Sequence, residues 1–137
     1  MFSSQWMTIK NMTFKVGQTL SLVGVIKPDP KEFTLDIGPS VDRIAFHFNP
    51  RFNAKGQINK IVCNSLEAGN WCKEQHEDCF PFCEGKEFQI AIKFTPSEFV
   101  VTLPNGSTFC FPNRMGARKY SVIGFGQDAE IRSIEIK

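Results

Sequence analysis

Alternation of apolar and polar positions dominates the chain and predicts β-strands rather than helices. In the segment 87–94, Phe88, Ile90, Ile92 and Phe94 alternate with mainly polar residues. Because strand side chains point to opposite faces in turn, this period of two predicts a half-buried antiparallel strand. No long helix can be placed in the pattern. The predicted strands span residues 19–26, 32–37, 43–51, 57–64, 87–94, 98–103, 108–111, 121–126 and 130–136.

Turn and breaker residues refine this pattern. Asn105-Gly106, after Pro104, predicts a hairpin, because Asn-Gly accepts the positive φ angles of a type I′ turn. Pro50 lacks a backbone donor in mid-strand, which predicts a bulge or irregular pairing there. Strands of this kind form a sandwich or a small barrel, and the pattern alone does not choose between them. A barrel would suit a lipid carrier, and a sandwich would hold its site on an outer face or in its loops.

Length and composition fit one domain around a single core. The chain has 137 residues, of which 14 are Phe and 42% are hydrophobic, without internal repeat or linker. We therefore predict one domain over residues 1–137. No segment approaches the roughly 20 apolar residues of a membrane helix. A net charge of +2 with interspersed signs provides no basic stripe. We expect neither membrane insertion nor nucleic-acid binding.

The cysteines predict a reducing compartment rather than a disulfide framework. Their number is odd, and the amino terminus has no basic flank followed by an apolar run, so we expect no signal peptide and cytoplasmic synthesis. Four side chains could be taken for a zinc site, but their spacing matches no tight pair of cysteines. We therefore predict no metal at this group, which comprises Cys72, His76, Cys79 and Cys83.

One predicted strand has an unusual polar face. In AFHFNPRF, residues 45–52, His47, Asn49 and Arg51 share one face, while Phe46 and Phe48 occupy the other. The phenylalanines are explained by a core. An imidazole, an amide and a guanidinium in a row on the opposite face indicate a ligand. Such a face fits an exposed groove better than a lipid cavity.

Three later residues extend this polar group, and together they suit a sugar. Asn64 lies on the next predicted strand, and Trp71 and Glu74 follow it. A sugar hydroxyl both donates and accepts, so planar polar groups can hold neighbouring hydroxyls in forks, while an indole covers the apolar face of a pyranose. Arg51 and Glu74 could also order each other as an ion pair. Since a glycosidase needs two carboxylates and this group has one, we predict no enzymatic activity.

These motifs resemble the signature of the galectins. The residues that carry the resemblance are HFNPRF at 47–52, VCNS at 62–65, the W-x-x-E from Trp71 to Glu74, and the FPF that follows. The similarity extends from NMTFKVGQTL near the start to FPNR at 111–114. The chain looks like a galectin of the prototype kind, which has a single carbohydrate-recognition domain.

The resemblance implies an all-β jelly-roll sandwich of two antiparallel sheets. It implies binding of β-galactosides, such as lactose and N-acetyllactosamine, on a concave sheet face without metal, cofactor or catalysis. By this resemblance, His47, Asn49 and Arg51 would hold the axial 4-hydroxyl of galactose. Asn64 and Glu74 would hold the 6-hydroxyl, Trp71 would stack on the ring, and Arg51 with Glu74 would reach the second sugar. The full set is His47, Asn49, Arg51, Asn64, Trp71 and Glu74.

The resemblance also implies partners and a location. We expect a homodimer through the terminal strands that cross-links glycans on glycoproteins and glycolipids, after export to the extracellular space by a non-classical route. The segments TIKNMTF and EIRSIEIK could instead be ordinary edge strands, although pairing across a two-fold axis would protect them. The alternative function is a structural or scaffold protein on the same fold, with a weak or unused sugar site.

Three positions depart from the family pattern. Lys55, Gln57 and His76 stand where galectins usually have histidine, aspartate and arginine. We treat them as accessory carbohydrate-binding positions in a rewired charge network around Arg51 and Glu74. We expect altered affinity and altered preference beyond galactose. Binding should weaken at higher pH if protonated His76 supports Glu74.

Overall fold

The computed structural model describes residues 5–137, with side chains from residue 7 onward. Over this range the chain forms strands, and it has no helix long and apolar enough to cross a bilayer. The strands are β1 (Gln5–Ile9), β2 (Phe14–Lys15), β3 (Thr19–Ile26), β4 (Phe33–Gly38), β5 (Ile44–Ala54), β6 (Gln57–Glu67), β7 (Asn70–Trp71), β8 (Gln75–Glu77), β9 (Glu87–Phe94), β10 (Glu98–Thr102), β11 (Thr108–Pro112), β12 (Lys119–Tyr120), β13 (Val122–Gln127) and β14 (Ala129–Ile136).

Two antiparallel sheets form a β-sandwich. The larger sheet has the order β1-β13-β4-β5-β6-β7, and β8 also pairs with β6. The second sheet has the order β11-β10-β9-β3-β14, and β2 pairs with β12 in a short ribbon. Neither sheet closes on itself, so the barrel alternative is wrong and the sandwich prediction is confirmed.

The core lies between the two sheets and is rich in phenylalanine. On β9 the residues Phe88, Ile90, Ile92 and Phe94 are buried while their neighbours are more exposed, as the alternation predicts. Across the sandwich, the Phe46 ring stacks against two rings of the opposite sheet, with centroid distances of 5.2 and 5.0 Å. These two rings belong to Phe99 and Phe111. Because the core holds Phe46 and Phe48, the residues between and beyond them on β5 face outward.

Pro50 interrupts one ladder of β5 and leaves the other regular. Opposite β6, Pro50 pairs with Ile61 in register. On the β4 side, the pairing of Leu35 with Phe48 resumes only at the isolated bridge of Glu32 with Arg51. The expected irregularity is therefore present on the β4 side, whereas the register shift between β5 and β6 lies earlier, between residues 44 and 47.

The hairpin turn at Asn105-Gly106 is present but differs from the sequence prediction in type. Asn105 does not have a positive φ, and Gly106 has φ +87° with its amide donating to the Leu103 carbonyl. The type I′ prediction is therefore wrong, because Pro104 fixes the first turn position one residue earlier and leaves Gly106 as the left-handed residue. Two successive positive φ values occur instead at the tip between β5 and β6, where Lys55 has 51° and Gly56 has 78°.

Candidate functional site

A groove of about 430 Å³ crosses the outer face of the larger sheet. Strands β4, β5 and β6 supply most of its lining, and the chain from β7 to β8 supplies one wall. Strand alternation brings the outward residues of β5 and β6 into it. All six residues predicted to contact sugar line this groove: His47, Asn49, Arg51, Asn64, Trp71 and Glu74.

Asn49 and Arg51 form the floor of the groove and are more buried than an outward strand face suggests. Arg51 is 8% exposed, and its Nε donates to Asn49 Oδ1 at 2.9 Å. The Asn49 amide nitrogen donates to Glu32 Oε1 at 3.1 Å and to the Phe33 carbonyl at 2.9 Å. These bonds fix the Asn49 amide, because its oxygen must face Arg51 and its nitrogen must face β4.

The Phe33 carbonyl is the acceptor that Pro50 leaves without a backbone donor. In the register set by Leu35 with Phe48, residue 33 stands opposite residue 50. Proline has no N–H, and the Asn49 side chain donates to this carbonyl in its place. One side chain therefore both closes the sheet and presents an oxygen beside Arg51.

His47 and Trp71 form the wall nearest the end of β7. His47 Nδ1 lies 2.5 Å from Asp36 Oδ1, which fixes the ring plane and leaves Nε2 directed away from that carboxylate. The Trp71 ring is tilted against the His47 ring, with centroids 4.7 Å apart. Trp71 is 43% exposed, so its free area is available to an apolar ligand face and a core role is excluded.

Arg114 organises the side of the groove that contains Asn64. Its Nη1 donates to Asn64 Oδ1 at 3.2 Å and to Ser65 Oγ at 2.9 Å, while its Nη2 donates to the Lys73 carbonyl at 2.8 Å. The guanidinium carbon lies 4.7 Å from the centre of the Phe111 ring. Arg114 therefore joins β6 to the segment that carries Trp71 and Glu74.

The charges around Glu74 are arranged differently from the prediction. Glu74 Oε1 lies 2.9 Å from His76 Nε2, and Arg51 directs its Nε to Asn49. Among the described side chains, Arg51 and Glu74 have separate partners and form no ion pair with each other. The contact between Glu74 and His76 is the one that the predicted pH effect requires, and the pH effect itself stays a prediction.

Lys55 lines the groove, but its ammonium contacts protein rather than open space. Lys55 Nζ donates to both oxygens of Glu32, at 2.8 and 2.6 Å. This pair connects the tip between β5 and β6 to the start of β4. Gln57 lies at the base of the same turn, opposite Ala54, and is not part of the groove lining.

Three residues that shape the candidate site escaped the sequence prediction. Glu32 and Asp36 line the groove and hold predicted site residues, and Arg114 holds Asn64 from outside the groove. A signal existed for the first two, since Glu32, Thr34 and Asp36 alternate with apolar residues on one predicted strand. No local pattern indicates Arg114, because its three partners are 41 to 50 positions away in the chain.

The thiols stand outside the groove lining, and two of them have shifted pKa values. Complete burial raises the pKa of Cys63 well above its ordinary value, and the neighbouring Glu77 adds to the shift. Partial desolvation and the hydrogen bond that the thiol donates to the Glu98 carboxylate raise the pKa of Cys110. All five cysteines are free in the structure.

Comparison with known proteins identifies the family. A model of the galactoside-binding lectin family matches residues 5–136. The chain belongs to this family. Among curated relatives, galectin-1 of Bos taurus is 39% identical over 90% of this chain and 92% of its own length. The β-galactoside-binding lectin of Electrophorus electricus is 43% identical over 93% and 95%, respectively.

Solved galectin structures share the fold. The crystal structure of Dario rerio galectin-1-L2 has a TM-score of 0.93 and 52% identity, covering 94% of this chain and 98% of its own. Congerin II liganded with lactose and MES has a TM-score of 0.92 and 32% identity, covering 96% and 98%. This galectin therefore has the jelly-roll β-sandwich that was predicted, and it is a galactoside-binding lectin.

Proposed function

We propose that this galectin holds the terminal β-galactose of lactose-type and N-acetyllactosamine-type glycans in the groove on β4, β5 and β6. His47, Asn49 and Arg51 bind the axial 4-hydroxyl. Asn64 and Glu74 bind the 6-hydroxyl, and the galactose ring stacks on the Trp71 indole. Arg51 and Glu74 reach the second sugar. Binding needs no metal.

The observation that carries this proposal is the convergence of the six side chains on one groove. They come from three strands and the segment after β7, and fixed hydrogen bonds orient the polar ones among them. A preorganised set of donors and acceptors beside an exposed indole suits a small polyhydroxylated ligand. Congerin II, which shares this fold, was solved with lactose.

The test is a lactose titration of the reduced protein followed by tryptophan fluorescence, with sucrose as the control ligand. We expect a saturable change with lactose alone and a dissociation constant of about 1 mM or below. Arg51→Ala and Trp71→Ala should each weaken binding by about tenfold or more, since a charged hydrogen bond or a buried stacking face is lost. Calorimetry measures the same constants for Trp71→Ala.

The matched control for Trp71→Ala is Ile58→Ala. Ile58 is a large apolar residue of β6 that is 68% exposed and outside the groove lining. Its loss should leave lactose affinity unchanged. If lactose gives no response up to about 10 mM by either method, binding is too weak for a lectin and the scaffold function takes its place.

We also propose that the groove binds without catalysis. The structure adds Glu32 and Asp36 to Glu74, but Glu32 is engaged by Lys55 and Asp36 by His47 on the groove floor. With these partners, neither carboxylate is proposed to act as the second acid that hydrolysis of a glycosidic bond needs. Prolonged incubation with lactose should therefore release no galactose, as measured by chromatography.

We further propose that two copies form a dimer that cross-links cell-surface glycoconjugates outside the cell. β1 is an edge strand of the larger sheet and β14 is an edge strand of the second sheet, and β13 leads directly into β14. Open edges offer backbone donors and acceptors to a second copy. Two sites on one rigid body would gain avidity on a glycan-covered surface.

A further inference from the structure

The groove continues beyond the six residues assigned to sugar contact. On the β4 side it is also lined by Glu32, Thr34 and Asp36, and by Gln127 of β13. Thr34 and Asp36 are each 7% exposed, so they form a floor rather than a rim. A galactose held over β5 and β6 leaves this part of the groove open to a substituent.

Sugar stereochemistry indicates which substituent enters that part, provided that the proposed function is correct. Around a galactose ring, the carbon bearing the 4-hydroxyl lies between the carbon bearing the 3-hydroxyl and the carbon bearing the 6-hydroxymethyl group. With the 4-hydroxyl at β5 and the 6-hydroxyl at Asn64 and Glu74, the ring runs across neighbouring strands. Because β4 is the neighbour of β5 on the opposite side from β6, the 3-hydroxyl is directed toward Glu32, Thr34 and Asp36.

The charge of this part of the groove is fixed by the fold. Glu32 has a 14% exposed side chain, and Asn49 and Lys55 hold its carboxylate in place. Asp36, four positions further along the chain, is held by His47. Lys55 lies at the hairpin tip with 56% of its side chain exposed, so solvent screens it more strongly than the Glu32 carboxylate.

We propose that Glu32 makes this galectin select by charge at the galactose 3-position. A free hydroxyl or a neutral sugar there can donate hydrogen bonds to the carboxylates of Glu32 and Asp36. A sulfate or a carboxylate-bearing sugar brings a negative charge to the same carboxylates and is disfavoured. The preferred ligands are galactosides that are unsubstituted or carry a neutral sugar at the 3-position.

The test compares three ligands by calorimetry: lactose, lactose sulfated at the galactose 3-hydroxyl, and lactose with a neutral galactose at that hydroxyl. The quantity measured is the dissociation constant of each substituted ligand divided by that of lactose for the same protein. We expect a ratio of about 10 or more for the sulfated ligand and about 3 or less for the neutral one. Added salt should lower the first ratio because it screens the repulsion.

Two variants should change the ratio for the sulfated ligand, called the sulfate ratio, in opposite directions. Glu32→Gln keeps a side-chain acceptor for Asn49 and Lys55 but removes the charge, so the sulfate ratio should fall to about 3 or less. Lys55→Gln removes the partly compensating cation, so the sulfate ratio should rise. The control is Glu87→Gln on the outer face of β9, which should leave the ratio unchanged.

The outcomes separate this inference from the function on which it rests. If lactose binds but the sulfated ligand binds as tightly, or if Glu32→Gln leaves the ratio unchanged, charge selection by Glu32 is overturned and the lectin function stands. If lactose itself does not bind, both proposals fail together. Reporting ratios within each protein cancels any general loss of affinity in a variant.

Discussion

At the scale of single residues, the site depends on side chains that hold other side chains. Asn49 fixes Arg51, Asp36 fixes His47, and Arg114 fixes Asn64. Each link is a hydrogen bond on or beside the groove floor, so the polar atoms that meet a ligand are oriented before it arrives. Preorganisation of this kind lowers the entropic cost of binding.

Arg114 should therefore affect lactose binding without contacting the sugar. Arg114→Ala removes the donors to Asn64, Ser65 and the Lys73 carbonyl, and we expect lactose affinity to fall by about tenfold, because hydrogen bonds from a charged group contribute about 1.5–3 kcal/mol. Arg114→Lys should recover only part of this loss, since an ammonium lacks the planar fork. Calorimetry gives the constants.

The effect of Arg114 can be separated from a general structural defect. A lactose analogue that lacks the 6-hydroxymethyl group makes no use of Asn64, so the Arg114 variants should bind it with a smaller loss. The control is Arg118→Ala in the same loop, which should behave as wild type. Equal losses for lactose and the analogue would show that Arg114 does not act through Asn64.

The thiols should react with iodoacetamide in an order set by exposure and pKa. Cys72 and Cys83 are exposed, Cys110 is exposed with a raised pKa, and Cys63 is buried with a strongly raised pKa. The thiolate is the reactive form, so a raised pKa lowers the reactive fraction near neutral pH. Cys72 and Cys83 should therefore be modified first, Cys110 more slowly, and Cys63 only after unfolding.

Peptide mass spectrometry over time measures these rates, and repeating the reaction at higher pH checks the sign. Because its pKa is raised, Cys110 should gain in rate as the pH is raised, since a larger fraction of its thiol is then ionised. Modification of Cys63 in the native protein at the rate of Cys83 would contradict the buried position on β6.

At the scale of strands and turns, Gly38 shows how closely β4 is packed. A Cβ at this position would lie 2.1 Å from the Arg43 carbonyl oxygen, which is backbone and cannot rotate away. Gly38→Ala should lower the free energy of unfolding by about 1–3 kcal/mol, the usual cost of overpacking. Urea unfolding followed by fluorescence measures the change.

Gly106→Ala provides the comparison for Gly38→Ala. At Gly106 a Cβ would meet nothing within 4 Å, but the residue has φ +87°. Its replacement should cost about 1 kcal/mol from backbone conformation alone. Equal stability of Gly38→Ala and wild type would mean that the turn after β4 can move, and the close approach would then not constrain the strand.

The strands themselves were largely predictable, and the departures have local causes. β3 and β9 have the predicted bounds, 19–26 and 87–94, because apolar residues recur along the whole of each segment and turn residues flank it. The strands β2, β7, β8 and β12 have two or three residues each and are too short for any periodicity to register. The turn at 103–106 was mistyped because Pro104 competes with the Asn-Gly signal.

The candidate site was predictable only where one strand carried several of its residues. The alternation on β5 indicates His47, Asn49 and Arg51 without any knowledge of the partner strands. The contacts of Glu32 and Asp36 require the pairing of β4 with β5, and neither segment alone predicts that pairing. The separate partners of Arg51 and Glu74, which are Asn49 and His76, also depend on tertiary position.

At the scale of the whole molecule, cross-linking requires two grooves held in one particle. We expect the purified galectin to agglutinate vesicles that display lactose, and free lactose to reverse this by competition. Sedimentation should show a dimer at the same protein concentrations. A monomer at every concentration, with lactose binding intact, would contradict the dimer while leaving the groove's function untouched.

Because Asn49 serves both the sheet and the groove, its presence in a related sequence has two possible explanations. Its amide supplies the sheet with the donor that Pro50 lacks, so replacing it would weaken folding as well as recognition. A lineage that gave up sugar binding would still be selected to keep this asparagine for as long as the proline stays. The backbone requirement alone therefore explains an Asn-Pro pair that persists in a related sequence. The pair by itself is not evidence that the related protein binds a glycan.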